Sequence, residues 1–290
     1  MKISIVIATK DRAALLEGAL SSLADQLGAP GLEIVVVDNG SSDQTRSVAE
    51  RHGAVYRFEA VPNRGKARNL GIAAASGSHV LFIDDDVIVP PHFVAAHARA
   101  HDQSTSAHAI SGPILNVPSN LARPTPGVAN FSNAFFCTCN VSVPLEPLRA
   151  AGGFDETFDL YGWEDTELGV RLRSRGVARA FAWDAYLWHI KPPTTETLDA
   201  ALAKTIEKAR MAARFVAKVP SRRARFATGA YAANLARGRV FGPPFLQPLL
   251  AGIASSNRVP AAVAAIARAR LLDSVYVDEL SRALAEEADR

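Results

Sequence analysis

The chain has 290 residues, with 32 Lys plus Arg against 29 Asp plus Glu, and its formal charge of +3 is too small to argue for a nucleic-acid partner. That length buries a sizeable core and allows one large domain with an appendage, or two modest ones. The two cysteines, Cys137 and Cys139, make no disulfide framework and supply too few ligands for a structural zinc site, so they read as buried free thiols.

The opening MKISIVIATKDR has an apolar run of about five residues before Lys10 and Asp11, too short for a signal peptide or a membrane span, and reads as a first strand. No later segment offers about 18 uninterrupted apolar residues, so a cytoplasmic protein is expected. A helix is predicted from Ala13 to Gln26, with Leu15, Leu16, Ala19, Leu20 and Leu23 at helical spacing. Leu32 to Val37 is the next strand, stopped by the turn cluster Asp38-Asn39-Gly40-Ser41-Ser42-Asp43, and a helix follows to His52. Ala54 to Phe58 reads as a third strand, Asn63-Arg64-Gly65 opens a helix through Ser76, and a strand from Val80 to Ile83 arrives after Gly77. This alternation predicts an α/β fold with a mainly parallel sheet covered by helices on both faces.

Ligands of such sheets sit beyond the carboxyl ends of the strands, so the loops carrying Asp11, Asp38 and Asp84 to Asp86 should converge on one crevice. The pieces from Ala109 to Leu187 are shorter and rich in turns, which suggests a mixed extension of the sheet forming the opposite wall. After Pro193 the composition shifts to Ala, Arg and Leu, and helices are predicted at 195–218, 221–238, 244–255, 259–272 and 274–288. The basic stretch KARMAARFVAKVPSRRARF reads as a solvated helical face or a homo-oligomer contact, with a peripheral helix at the inner face of an anionic membrane as the competing reading.

Three adjacent carboxylates, Asp84, Asp85 and Asp86, close the strand HVLFI. Like charges packed that closely repel, and desolvating even one unpaired carboxylate costs several kcal/mol, so the cluster calls for a cation. A nucleoside diphosphate is itself anionic, and carboxylates hold it only through a hard divalent ion such as Mn²⁺ or Mg²⁺.

Five motifs, in order, resemble family 2 of the glycosyltransferases, whose nucleotide-sugar-binding domain has the GT-A fold. They are SIVIATKDR, EIVVVDNGSSDQT, NRGKARNLGIAAASG, FIDDDVIVPP and GGFDETFDLYGWEDTELGVRLRSRG. The resemblance covers about residues 1–190, which gives an expected organisation of 1–193 as the GT-A catalytic domain and 194–290 as a C-terminal helical region. It implies Asp86 on the metal, Asp84 on the ribose or on the metal through water, and Asp85 in either role, since three in a row leave the register open. It implies nucleotide contacts from Thr9, Asp11, Arg12, Asp38, Arg64, Lys66 and Arg68, with Asp38 accepting from a uracil N–H. Of the cations, one is expected merely to pair with a surface carboxylate, and Arg12 also fits a plain helix start.

The same resemblance makes Asp165 the base that deprotonates an acceptor hydroxyl in an inverting transfer, Glu164 the holder of an acceptor hydroxyl, and Trp163 an apolar platform for a sugar. His189 stands where relatives place a third metal ligand, against the alternative of a histidine satisfied in the core, and Asn140 at a position near donor and acceptor. The remaining histidines are assigned nothing. The membrane helices and Gln-x-x-Arg-Trp motif of processive synthases are absent, so a single addition from a UDP-sugar donor to a saccharide, lipid-linked saccharide or small natural product is expected. Two competing classes are a nucleotidyltransferase, which usually has a Gly-rich basic loop where IVIATKDRA has no glycine, and a catalytically idle glycan- or nucleotide-binding module.

Overall fold

The computed structural model describes residues 1–29, 31–119, 121–192, 196–256 and 258–289. The chain forms two compact units, Met1–Asp159 with Glu164–Thr194, and Leu160–Trp163 with Thr195–Arg290. The domain boundary expected after Pro193 lies outside the described residues.

The first unit runs β1 (Ile3–Thr9), α1 (Ala13–Leu23), β2 (Leu32–Asp38), α2 (Thr45–Arg51), β3 (Val55–Phe58), α3 (Arg64–Ala74), β4 (His79–Ile83), β5 (Val87–Ile88) and α4 (Phe93–Asp102). It continues with β6 (His108–Ser111), β7 (Ile114–Val117), β8 (Asn140–Pro144), α5 (Leu145–Ala150), α6 (Glu164–Ser174), β9 (Ala178–Phe181) and β10 (Leu187–Ile190). Seven strands form one sheet in the order β3-β2-β1-β4-β8-β6-β9. Only β8 runs against its neighbours, β4 and β6, so the sheet is mixed and mainly parallel.

The apolar strands are buried because helices cover both faces. Ile3, Ile5 and Ile7 of β1 pack with Leu16, Leu20 and Leu23 of α1 on one face. Val6, Val35 and Val37 pack with Ala67 and Ile72 of α3 on the other. Alternate residues of one strand thus serve opposite cores. Gly71 lets α3 approach this closely, since a Cβ there would collide with Val6 Cγ1. Gly71→Ala is expected to cost on the order of 1–3 kcal/mol in chemical denaturation. Gly252→Ala, with open space around the position, should be neutral or stabilising.

A second, three-stranded sheet, β5-β10-β7, fixes the far wall of the site. Antiparallel pairing sets His189 opposite Val87, and the Ile190 amide donates to the Asp86 carbonyl at 2.8 Å. This register carries His189 to the residue that follows the aspartates. Its strands are two to four residues long, too short for periodicity to reveal.

The second unit contains α7 (Leu198–Lys218), α8 (Arg222–Thr228), α9 (Ala232–Phe241), α10 (Gln247–Ala254) and α11 (Ala261–Ala288). Its core joins Ala209, Ala212, Ala213 and Val216 of α7 to Leu280 and Ala283 of α11. Two expectations are corrected here. The helix predicted over 221–238 breaks at Gly229, whose φ of 77° ends α8. The helices predicted over 259–272 and 274–288 are one: Asp273 pairs with Arg237 and the Ser274 hydroxyl donates to the Gly242 carbonyl, so the polar pair marks a contact rather than a turn. Among the described residues no helix is long and apolar enough to cross a membrane.

Candidate active site

The β1–β2 register sets Thr9 opposite Asp38, and the β1–β4 register sets Ile7 opposite Ile83, so all three acidic loops leave the sheet at one level. The first two loops are laced together. Asp11 Oδ1 accepts from the Ser42 amide at 2.7 Å, the Asp11 amide donates to Ser41 Oγ, and Asp43 Oδ2 accepts from the Ala13 amide at 2.8 Å. Asp43 thereby supplies the first turn of α1 with the acceptor that Arg12, at the cap position, lacks. Asp11 takes a left-handed φ of 51°, which aspartate tolerates better than most residues. Asp38 is buried, accepting from the Ser41 amide at 2.7 Å and the Tyr56 hydroxyl at 2.8 Å. Burial and the Asp38 carboxylate push the Tyr56 phenol up to about 12.

The three aspartates divide by direction. Asp85 is buried and turned to the first loop, accepting from Thr9 Oγ1 at 2.7 Å and Arg12 Nη1 at 3.0 Å, and its burial pushes its pKa up. Thr9 therefore holds Asp85. Asp86 accepts from Arg12 through Oδ2 at 3.2 Å. Burial opposes its ionisation, but His189, Lys191 and Arg12 hold its carboxyl below the usual range. Its Oδ1 stands 2.9 Å from His189 Nε2 without hydrogen-bond alignment, and neither buried atom has another partner. Two orphaned acceptors on one point are what a divalent cation would satisfy, so these residues fit the Mn²⁺ or Mg²⁺ that the motif implies. Asp84, Cys139 and His189 also bring one ligand atom each within 4.8 Å of one another.

Two cations of the third motif, Lys66 and Arg68, pair with carboxylates. Lys66 Nζ donates to Glu59 at 3.0 Å. Arg68, nearly buried, donates to Glu164 Oε1 at 3.0 Å and lies 5.5 Å over the Phe154 ring. The expectation that Arg68 meets phosphate is thus corrected: it neutralises a buried carboxylate that would otherwise be prohibitively costly. Asn63 caps α3 through the Lys66 amide and donates to the Glu156 carbonyl, while Asn69 exchanges two hydrogen bonds with Phe154. The segment braces the GGFDE turn, where Gly152 and Gly153 take φ of 81° and 66°. Arg64 begins α3.

Glu164 and Asp165 open α6, where the helix dipole favours negative charge. Glu164 Oε2 is buried without a partner. Asp165 Oδ1 accepts from the Thr166 amide at 2.7 Å, yet burial and the Glu164 charge push its pKa up to about 6. The Cys137 thiol is pushed up to about 11 by burial and by the charges of Asp165 and Asp84.

Trp163 belongs to the helical unit: its ring stacks on Phe215 at 5.5 Å and 13°, and Nε1 donates to the Lys208 carbonyl at 3.2 Å. One ring face is therefore committed to packing, which narrows the role expected of it as a sugar platform. Its φ of 74° is strained, a cost of about 1–3 kcal/mol held immediately before Glu164. Asn140 is corrected outright. It is fully buried, with Oδ1 on His97 Nε2 at 3.0 Å and Nδ2 donating to the Ala185 carbonyl at 2.8 Å, so it cannot touch a substrate. His97, pushed down to about 4 by burial, stays neutral between Asn140 and Ser142. Sequence reasoning missed Asp43, Tyr56 and Cys139, of which only the Cys-x-Cys spacing left a visible mark.

A mixed, mainly parallel sheet with carboxylates beyond its strand ends and an orphaned Asp86–His189 pair beside them is the arrangement of a GT-A fold. Residues 4–131 match the Glycosyl transferase family 2 model, and this part of the chain belongs to that family. It is 30% identical over 263 residues to validoxylamine A glucosyltransferase of Streptomyces hygroscopicus subsp. limoneus, covering 76% of this chain and 57% of that protein. The chain thus spans little more than half of that relative. Among solved structures it resembles the mannosyltransferase PcManGT of Pyrobaculum calidifontis, in complex with GDP-Man and Mn²⁺, with a TM-score of 0.64 at 20% identity over 98% of this chain and 86% of that one. It also resembles S. aureus TarS 1-349 in complex with UDP-GlcNAc, with a TM-score of 0.58 at 19% identity over 97% and 92%.

Proposed function

We propose that this chain moves a sugar from a nucleoside diphosphate donor, a uridine nucleotide before others, to an acceptor hydroxyl with inversion and in single additions. The observation that carries the reading is the unpartnered pair on the donor side, Asp86 Oδ1 at 2.9 Å from His189 Nε2, together with the unpartnered Glu164 Oε2 next to the raised carboxyl of Asp165. Asp165 Oδ1 is engaged by the Thr166 amide, so the hydroxyl proton passes to Oδ2. A base with a pKa of about 6 is ionised at neutral pH and still basic enough to share that proton. Glu164 Oε2, buried and unpartnered, accepts from the sugar hydroxyl that Asp165 does not take.

On the donor side Asp86, Asp84 and His189 would hold Mn²⁺ or Mg²⁺, which offsets the charge on the departing diphosphate. Thr9 keeps Asp85 in place, Arg12 covers the aspartates, and Asp38 keeps free lone pairs on both oxygens for a base N–H. The likeness to a glucosyltransferase named for validoxylamine A supports a single addition over chain elongation. Arg222, Arg223 and Arg225 beside the exposed Phe226 are what supports a peripheral contact of α8 with a membrane.

Incubating the chain with UDP-, GDP- and dTDP-sugars and Mn²⁺, and following free nucleotide by mass detection, tests the reading. Mn²⁺-dependent release of UDP is expected. Release of sugar 1-phosphate instead would mean nucleotidyl transfer, and no release from any donor would mean a binding module.

A further inference from the structure

His189 carries its two nitrogens on different edges of one ring, and the fold gives each its own neighbour. Nε2 stands 2.9 Å from Asp86 Oδ1, whereas Nδ1 stands 3.9 Å from Cys139 Sγ. One ligand atom from each of Asp84, Cys139 and His189 falls within a 4.8 Å cluster, and Cys139 and His189 are only 7% and 8% exposed. Thiolate, imidazole and carboxylate are the donors of zinc sites rather than of magnesium sites. With zinc–sulfur and zinc–nitrogen bonds of about 2.3 and 2.0–2.1 Å, a tetrahedral ion holds those two atoms about 3.6 Å apart. The observed separation needs to close by only a few tenths of an ångström.

We propose that Asp84, Cys139 and His189 form a binding site for a thiophilic divalent cation of the Zn²⁺ class, which competes for His189 with the hard cation beside Asp86. The proposal rests on the reading of Asp84 and His189 as metal ligands and adds Cys139 to them. Coordination takes the proton from the Cys139 thiol to solvent and places the sulfur charge in the metal bond. A single imidazole cannot serve Asp86 through Nε2 and Cys139 through Nδ1 for one ion, so occupancy of the sulfur side withdraws His189 from the oxygen side. The second nearby thiol, Cys137, is the internal control.

Cobalt alone, added to the full chain, is the probe. A near-ultraviolet thiolate-to-cobalt charge-transfer band at one ion per chain, displaced by Zn²⁺, is expected. Cys139→Ser should abolish the band and weaken Zn²⁺ binding by about tenfold or more, Cys137→Ser should keep the band, and Mn²⁺ binding followed by electron paramagnetic resonance should survive in both. Asp86→Ala should do the reverse, keeping the band and losing Mn²⁺. Cobalt bound without the band, or a band that survives Cys139→Ser, overturns the proposal. If that happens while Mn²⁺ still binds, the donor-side reading stands alone. A band that appears in a chain unable to bind Mn²⁺ supports the sulfur site and rejects the donor-side one.

Discussion

Replacing Asp165 by Asn is expected to lower sugar transfer by on the order of 10²–10⁴ while leaving nucleotide affinity unchanged. The amide keeps the oxygen that accepts from the Thr166 amide but takes no proton from an acceptor. In the parent chain, kcat/KM should fall as pH drops through about 6, because the raised carboxyl protonates there. The same shift acts on stability with a definite sign. Between the ordinary value of 3.8 and about 6 the folded chain holds a proton that the unfolded chain has released, so stability declines as pH rises through that window and stays lowered above it. The full penalty is about 3 kcal/mol. Asp165→Asn removes it, so the variant should withstand more denaturant than its parent at about pH 8 and the advantage should vanish below about pH 4. Near-parental turnover in the variant would reject Asp165 as the base, and a variant less stable at high pH would reject the burial argument.

Removal of the Asp86 carboxylate should be equally damaging to turnover, by at least about 10²-fold, through a different quantity. Asp86→Ala leaves Thr9, Arg12 and Asp85 joined, since their bonds do not pass through Asp86. The first loop should therefore keep its shape. What disappears is the oxygen facing His189 Nε2, so calorimetry should show UDP binding that no longer strengthens with Mn²⁺, while uridine binding persists. Mn²⁺-strengthened UDP binding in this variant would move the metal to another carboxylate of the triplet. Asp165→Asn, by contrast, should show the parental Mn²⁺ dependence.

The parallel half of the sheet was legible because β1, β2 and β4 are buried on both faces and read as continuous apolar runs ended by polar turns. The acid clusters were legible because Asp84 to Asp86 and Glu164-Asp165 are close in sequence. The misassignments have a common cause: partners distant in sequence. Arg68 resembles a phosphate ligand until Glu164, 96 positions away, is brought to it. Asn140 resembles a residue near donor and acceptor until β8 pairs with β4 and carries it inside, onto His97. In the helical region, the left-handed Gly229 ended a helix where periodicity ran on, and Asp273-Ser274 invited a break that tertiary bonds remove.

On the function proposed above, the lacing of the β1 and β2 loops, with Asp11 on Ser42 and Asp43 on the start of α1, pre-forms the nucleoside end of the cleft. A ligand arriving there meets walls already in position, so little chain entropy is lost in the encounter. Nucleoside association should then be fast and single-phased. Any slow, adaptive phase should belong to the sugar acceptor rather than to the nucleotide.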